Sequence, residues 1–162
     1  MKEEILVIRE ALQQDEEIIA KYLCQIALEL GFPSSSIRQN WLEKTTQFID
    51  YACRELHYKG FVAELSNEVI GSACCQILEL YPMVSDQYQK GYIWGVYVEP
   101  AHRRKGIATQ LIQKAMAHLR AIGCTHAVLH ASEQGKLLYS RLGYMESNEM
   151  GISLAENPMS IP

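Results

Sequence analysis

The cluster His102-Arg103-Arg104-Lys105 is followed at once by Gly106 and by a helical pattern opening with Ile107, Ala108 and Thr109. Residues 91–98, just before it, are dense in aromatic and β-branched types and stop at Glu99-Pro100. The order is therefore strand, break, basic loop, single glycine, helix start. The N–H groups of a helix's first turn have no intrahelical partner, and the helix dipole is positive there. Both features favour an anion, a phosphate above all. Arg103, Arg104 and Lys105 add mobile positive charge, and Gly106, lacking a side chain, lets a diphosphate approach the main chain closely. Neither G-x-x-x-x-G-K-[ST] nor, around Gly106, G-x-G-x-x-G occurs, so triphosphate hydrolysis and hydride transfer find no support. A nucleotide-binding enzyme stays as a rival, to be favoured if ATP or NAD bound. Upstream, Gly95 interrupts an otherwise strong strand, which predicts a bulge or a close backbone approach that turns an N–H toward a ligand.

The elements that must position this loop can be read in turn. Residues 5–9 form a short β-branched strand. A helix follows, with Ile18, Ile19, Tyr22, Leu23, Ile26, Ala27 and Leu30 on one face and Gly31 and Pro33 as its stop. Ser34–Ser36 offers N-caps for a second helix carrying Trp41, Phe48, Ile49, Ala52 and Leu56 and ending within residues 57–60. Residues 61–65 and 69–80 flank Ser66-Asn67-Glu68 and predict a β-hairpin. Residues 81–90 read as a loop and residues 91–98 as a strand. From Gly106, the positions Ala108, Leu111, Ile112, Ala115, Leu119 and Ile122 predict a helix that Gly123 ends. Ala127-Val128-Leu129 is a short strand, residues 133–142 a helix stopped by Gly143, and a last extended piece reaches Leu154. The order is βααβββαβαβ, a mixed α/β chain read as one domain over residues 1–162. A single helical crossover makes the strands at 91–98 and 127–129 parallel neighbours.

Composition narrows the classes. The chain has 162 residues, 48% hydrophobic and 21% charged, the balance of an ordinary globular protein that buries one core. With a formal net charge of −4 and no basic run beyond the one local cluster, nucleic acid is not an expected partner. That cluster suits a small anionic ligand. The five cysteines, Cys24, Cys53, Cys74, Cys75 and Cys124, are odd in number and make no C-x-x-C pair, which indicates neither a disulfide framework nor a zinc site. No metal is expected, and a reducing cytoplasm is the simplest setting. Met1-Lys2-Glu3-Glu4 lacks the basic-then-apolar pattern of a secretory signal, and the apolar runs fall short of the ~20 residues of a bilayer span, so no membrane partner is expected.

Three segments together resemble a known family. Arg103-Arg104-Lys105-Gly106-Ile107-Ala108 fits [Q/R]-x-x-G-x-[G/A]; Val96-Tyr97-Val98-Glu99-Pro100 precedes it; Leu138-Tyr139-Ser140-Arg141-Leu142-Gly143-Tyr144 follows and resembles L-Y-x-x-L-G-F. In this order and spacing they are similar to the GCN5-related N-acetyltransferase (GNAT) family, over about residues 91–144. Before Gly60 the likeness lies only in the order of elements, and that stretch shapes the acceptor site in the family.

The resemblance implies a mixed, mostly antiparallel sheet flanked by helices, its two central parallel strands splayed apart. It implies transfer of acetyl from acetyl-CoA, as cosubstrate, to a primary amine of a small molecule or of a peptide or protein N-terminus. The loop from Arg103 to Thr109 would hold the diphosphate. The Val96 N–H would polarise the thioester carbonyl, the Val98 backbone would bond the pantetheine amides, and Ser132 and Lys136 stand where family members commonly face the coenzyme. The last two read equally well as a helix cap and a solvated lysine. Tyr139, with an ordinary phenol pKa near 10, would protonate the departing sulfur. No base is evident on the central strand, and Glu99, Glu64, Glu79 and His130 stay open as the end of a water chain. Trp41, Tyr81, Tyr92, Trp94 and Tyr97 are either an aromatic acceptor pocket or core. Cys74 and Cys75 have no activating base beside them, so attack is direct, without an acyl-enzyme. The rival from another class is a non-catalytic acyl-CoA-binding regulatory module. Self-association would give a homodimer through an edge strand or the C-terminal residues.

Overall fold

A computed structural model describes residues 5–79 and 89–150. Among the described residues, five strands form one sheet in sequence order: β1 Leu6–Glu10, β2 Lys59–Leu65, β3 Glu68–Leu78, β4 Lys90–Val98 and β5 His126–Val128. The pairs β1/β2, β2/β3 and β3/β4 are antiparallel, while β4/β5 is parallel, as the intervening helical crossover requires. Helices α1 (Glu16–Glu29) and α2 (Trp41–Glu55) cover one face; α3 (Ile107–Ala121) and α4 (Lys136–Arg141) cover the other.

The period-2 alternation of the central strands feeds two cores. Ala73, Cys75 and Ile93 pack with Leu111, Ile112, Ala115 and Leu119 on the α3 side. Val62 and Cys74 pack with Ile19 of α1 and Ile49 of α2 on the other. Each fully buried Leu or Ile contributes roughly 1.5–3 kcal/mol of transfer free energy, which anchors α3 and with it the loop at its head.

Local details depart from the sequence expectation at four places. Ser34–Ser36 forms a 3-10 turn in which the Ser36 hydroxyl donates to the Pro33 carbonyl; α2 begins later, after Asn40, with no side-chain cap. The hairpin loop has two residues, because Leu65 and Glu68 are paired and Ser66 (φ 52°) and Asn67 (φ 68°) make the left-handed turn that suits the strand twist. The fourth helix starts at Lys136, since residues 133–135 form a turn closed by Gly135 N–H on Ser132. The last expected strand has no counterpart in residues 144–150, and its remaining residues lie outside the described ones, as do Tyr81 and most of the expected loop at 81–90.

Candidate functional site

Two features of β4 create an opening in the sheet. The first is where β5 stops: the pairs are Lys90 with His126, Gly91 with Ala127 and Tyr92 with Val128, and beyond Tyr92 β4 pairs with no strand on that side among the described residues. The central strands splay. The second is a bulge. Ser72 pairs with Tyr97 and Cys74 with Trp94, so Gly95 and Val96 together stand opposite Ala73. Gly95 supplies the left-handed φ of 63° that the extra residue needs.

Backbone direction follows from one hydrogen bond. The Glu99 N–H donates to the Ile70 carbonyl, which places Tyr97 and Glu99 with their backbone groups toward β3. Val98 then faces outward, along the edge that β5 has left. The Val98 carbonyl accepts the Arg103 Nε at 2.7 Å.

Helix α3 opens on the same side of the sheet. Gly106 precedes it at φ 77°, no side chain caps its first turn, and the first intrahelical bond is Gln110 N–H to the Gly106 carbonyl. The amides of Ile107, Ala108 and Thr109 are therefore free of protein acceptors. A Cβ on Gly106 would meet nothing within 4 Å, so glycine is required there by conformation, and the space beside it is open. Arg104, itself at φ 64°, and Lys105 are exposed and make no ion pair among the described residues. Together these groups could hold a diphosphate.

Arg103 does something else. Its Nη2 is 2.7 Å from Glu29 Oε1, its guanidinium lies 5.3 Å over the Tyr97 ring, and its Nε caps the Val98 carbonyl. Its charge is tied to α1 and β4, not mobile at the loop. Ser132 and Lys136 likewise have local partners: the Ser132 hydroxyl accepts the Gly135 N–H, and Lys136 Nζ lies 2.6 Å from Glu133. Both still sit exposed at the head of α4.

Tyr139 packs its ring on the α3-side core, as Val96 does, with the Tyr144 ring edge-on 5.9 Å away. Its hydroxyl has no hydrogen-bond partner among the described residues. Burial raises its pKa above the ordinary phenol value of 10.0, so it is protonated at neutral pH.

The opposite face carries aromatic residues. Trp94 projects there, its Nε1 donating to Gln76 Oε1 at 3.0 Å, with the rings of Phe48 and Tyr58 5.7 and 5.6 Å away. Phe48 and Tyr51 are 42% and 46% exposed, a half-open wall that sequence reasoning missed; their three-residue spacing on α2 was the available signal. Tyr97 belongs to the core instead, stacked 4.7 Å from Tyr22, and Trp41 makes no ring contact among the described residues. Tyr92 reaches across the splay, its hydroxyl 3.0 Å from His130 Nδ1, while His130 Nε2 lies 3.6 Å from Glu149.

Of the other carboxylates, Glu64 is paired with Arg9 at 2.7 Å at the β1 edge. Glu99 sits beside Tyr22, whose pKa is raised by burial and then by that carboxylate. Glu79 is exposed at the end of β3. Cys74 and Cys75 are fully buried, and burial pushes both thiols up to about 12. All five cysteines are free. Among the described residues no group of His, Cys, Asp and Glu is arranged to hold a metal ion, and no helix is long and apolar enough to cross a membrane.

The sequence matches the model of the acetyltransferase (GNAT) family over residues 19–144, a span that includes the splay, the bulge and the α3 loop. The chain belongs to the GNAT family. It is 29% identical over 93 residues to N-alpha-acetyltransferase 30 of Xenopus laevis and 33% identical over 63 residues to aminoglycoside N(6')-acetyltransferase type 1 of Acinetobacter haemolyticus. These matches take in 56% and 37% of this chain and only 33% and 43% of those relatives. A GCN5-related N-acetyltransferase from Ralstonia eutropha superposes with a TM-score of 0.79 at 25% identity, covering 93% of this chain and 99% of that one. A predicted acetyltransferase of Clostridium acetobutylicum, solved with acetyl-CoA, shares the GNAT fold at a TM-score of 0.82 and 23% identity, over 94% and 99% of the two chains.

Proposed function

We propose that this chain is an acetyl-CoA-dependent N-acetyltransferase acting by direct attack on a primary amine of a small molecule or of a peptide or protein N-terminus. One observation carries the reading: an uncapped helix head and the unpaired edge of a bulged strand face the same opening, in a family whose model spans both. The site fits the coenzyme in kind, for the α3 amides with Arg104 and Lys105 suit a diphosphate, and the outward edge of β4 suits an amide-bearing arm.

When bound, acetyl-CoA supplies an activated acyl group and a thiol leaving group. The chain's own residues then divide the work. The α3 amides, Arg104 and Lys105 anchor the diphosphate; Val98 pairs along the arm; Val96 N–H donates to the oxygen that gains negative charge, a role worth about 3–4 kcal/mol for a fixed donor. Tyr139, kept protonated by burial, delivers a proton to the leaving sulfur. On the acceptor face, Tyr92 and His130 form the base pair this reading selects: the phenol takes the amine's proton as it passes its own to Nδ1, and Glu149 balances the imidazolium. Cys74 and Cys75, buried as thiols, take no part.

The curated relatives are named for an α-amine and for an aminoglycoside amine, so both kinds belong among the acceptors to be tried. A reducing cytoplasmic setting suits the five free thiols, and the open outer edge of β1 suits a homodimer. The test is release of free coenzyme thiol from acetyl-CoA with a panel of amino acids, polyamines, aminoglycosides and peptides. At least one amine releases thiol above the buffer rate if the reading holds. If acetyl-CoA binds and none does, the non-catalytic acyl-CoA-binding module replaces it.

A further inference from the structure

Ser72 is a hydroxyl with no exposure at all in the middle of β3, between glycine, alanine and cysteine neighbours. Burying a hydroxyl in such surroundings is costly unless it is paired. Its partner is the Gly95 carbonyl, to which Oγ donates at 3.0 Å.

That carbonyl is the one the bulge leaves without a ladder partner. In β3 the Ile77 N–H runs to the Leu56 carbonyl on the β2 side, so odd-numbered β3 residues, Ala73 among them, direct their backbone groups toward β2. Gly95 and Val96 stand opposite Ala73, hence no main-chain group of β3 is aimed at the peptide joining them. The Ser72 side chain fills that place.

The Gly95 carbonyl and the Val96 N–H belong to one peptide plane, and in a trans peptide they point in opposite directions. Tying the carbonyl to β3 therefore turns the Val96 N–H away from β3, into the gap that β5 has left. Glycine at φ 63° would otherwise let this plane rotate, since it has the widest backbone freedom. Accepting a hydrogen bond at the carbonyl also polarises the amide and makes its N–H a better donor.

We propose that Ser72 is a positioning residue, its hydroxyl locking and polarising the Gly95–Val96 peptide as the donor to the acetyl carbonyl of acetyl-CoA. The proposal rests on the acetyl-CoA reading above. It is tested by isotope-edited infrared spectroscopy of acetyl-CoA carrying carbon-13 at the acetyl carbonyl, bound to wild type, Ser72→Ala and Ser72→Cys, with calorimetric affinities for acetyl-CoA and coenzyme A.

In wild type the bound carbonyl stretch falls below that of free acetyl-CoA. In Ser72→Ala it moves back toward the free value, acetyl-CoA binds about fivefold more weakly, and coenzyme A, which has no acetyl carbonyl, binds as before. Turnover drops about tenfold or more with the amine KM little changed. Ser72→Cys, similar in size and a weaker donor, falls between, and it carries the measurement if the alanine variant does not fold. An unshifted carbonyl in wild type, or a folded variant with wild-type stretch and affinity ratio, overturns the proposal. If wild type binds acetyl-CoA with its carbonyl stretch unshifted, Ser72's role falls alone; if wild type does not bind acetyl-CoA, the acetyl-CoA reading falls with it.

Discussion

In the proposed reaction, Tyr139 and the loop cations are where single side chains carry the chemistry. Tyr139→Phe keeps the ring and its packing while removing the proton, so turnover should fall about 100-fold with acetyl-CoA affinity retained, as paired steady-state kinetics and calorimetry would report. The pH dependence has a definite sign. As the proposed acid this residue acts protonated, and burial raises its pKa, so its alkaline limb in kcat should lie above the ordinary phenol value of 10.0 and not below it. A limb at lower pH that vanishes in Tyr139→Phe would contradict this. Among the cations, Lys105→Ala should weaken acetyl-CoA binding about fivefold and flatten its salt dependence. Arg103→Ala should chiefly lower the melting temperature, because the guanidinium joins Glu29, Val98 and Tyr97. The sequence made these cations look alike. Glu29, which separates them, lies 74 residues away from Arg103, and local spacing carries no sign of it. The Tyr92–His130 contact was hidden in the same way, across 38 residues and two strands.

At the scale of elements, what could be read was what local chemistry dictates. Strand β4, the crossover and α3 were legible because β-branched density, an apolar repeat of three and four, and Gly123 at φ 94° all agree. Positions set by competing short turns were not. Ser34–Ser36 has the composition of a helix cap, but the Ser36 N–H and hydroxyl donate to the Pro33 carbonyl and the Ile37 N–H to the Ser34 carbonyl, which closes a 3-10 turn instead. A clamp at the other edge of the sheet was also invisible: Arg9 of β1 bonds Asp15 at 2.7 Å and Glu64 of β2 at 2.7 Å. Burial works against the Asp15 charge, yet the hydrogen bonds from Arg9 and the Leu12 N–H hold its carboxyl below the ordinary 3.8. A pKa lower in the folded than in the unfolded chain favours folding above 3.8, and that contribution is lost as pH falls below it. Arg9→Ala, which strands the Asp15 carboxylate, should cost about 2 kcal/mol in denaturant unfolding at pH 7 while leaving acetyl-CoA affinity unchanged. Equal affinity loss would mean that this edge belongs to the site.

For the molecule as a whole, the sheet works as a frame with one deliberate gap. One antiparallel pairing, with β3, holds β4 on one side from Lys90 to Val98 except at the bulge, while β5 holds it only as far as Tyr92, and α3 fixes its free head where the gap begins. The bulged strand, the basic loop and the head of α3 lay in nearly consecutive residues and were legible as elements; the Phe48–Trp94 and Tyr92–His130 contacts join α2, β4 and the segment after β5, and their pieces met only in three dimensions. The central claim is that main-chain amides at the head of α3 grip a diphosphate. Calorimetry with acetyl-CoA and with S-acetylpantetheine, which keeps the thioester and arm but lacks the diphosphate, tests it most directly. Saturable binding of acetyl-CoA, with S-acetylpantetheine at least about 100-fold weaker, is the predicted result, a difference of about 2.7 kcal/mol. No heat with acetyl-CoA on folded protein, or equal affinity for the two, would contradict it.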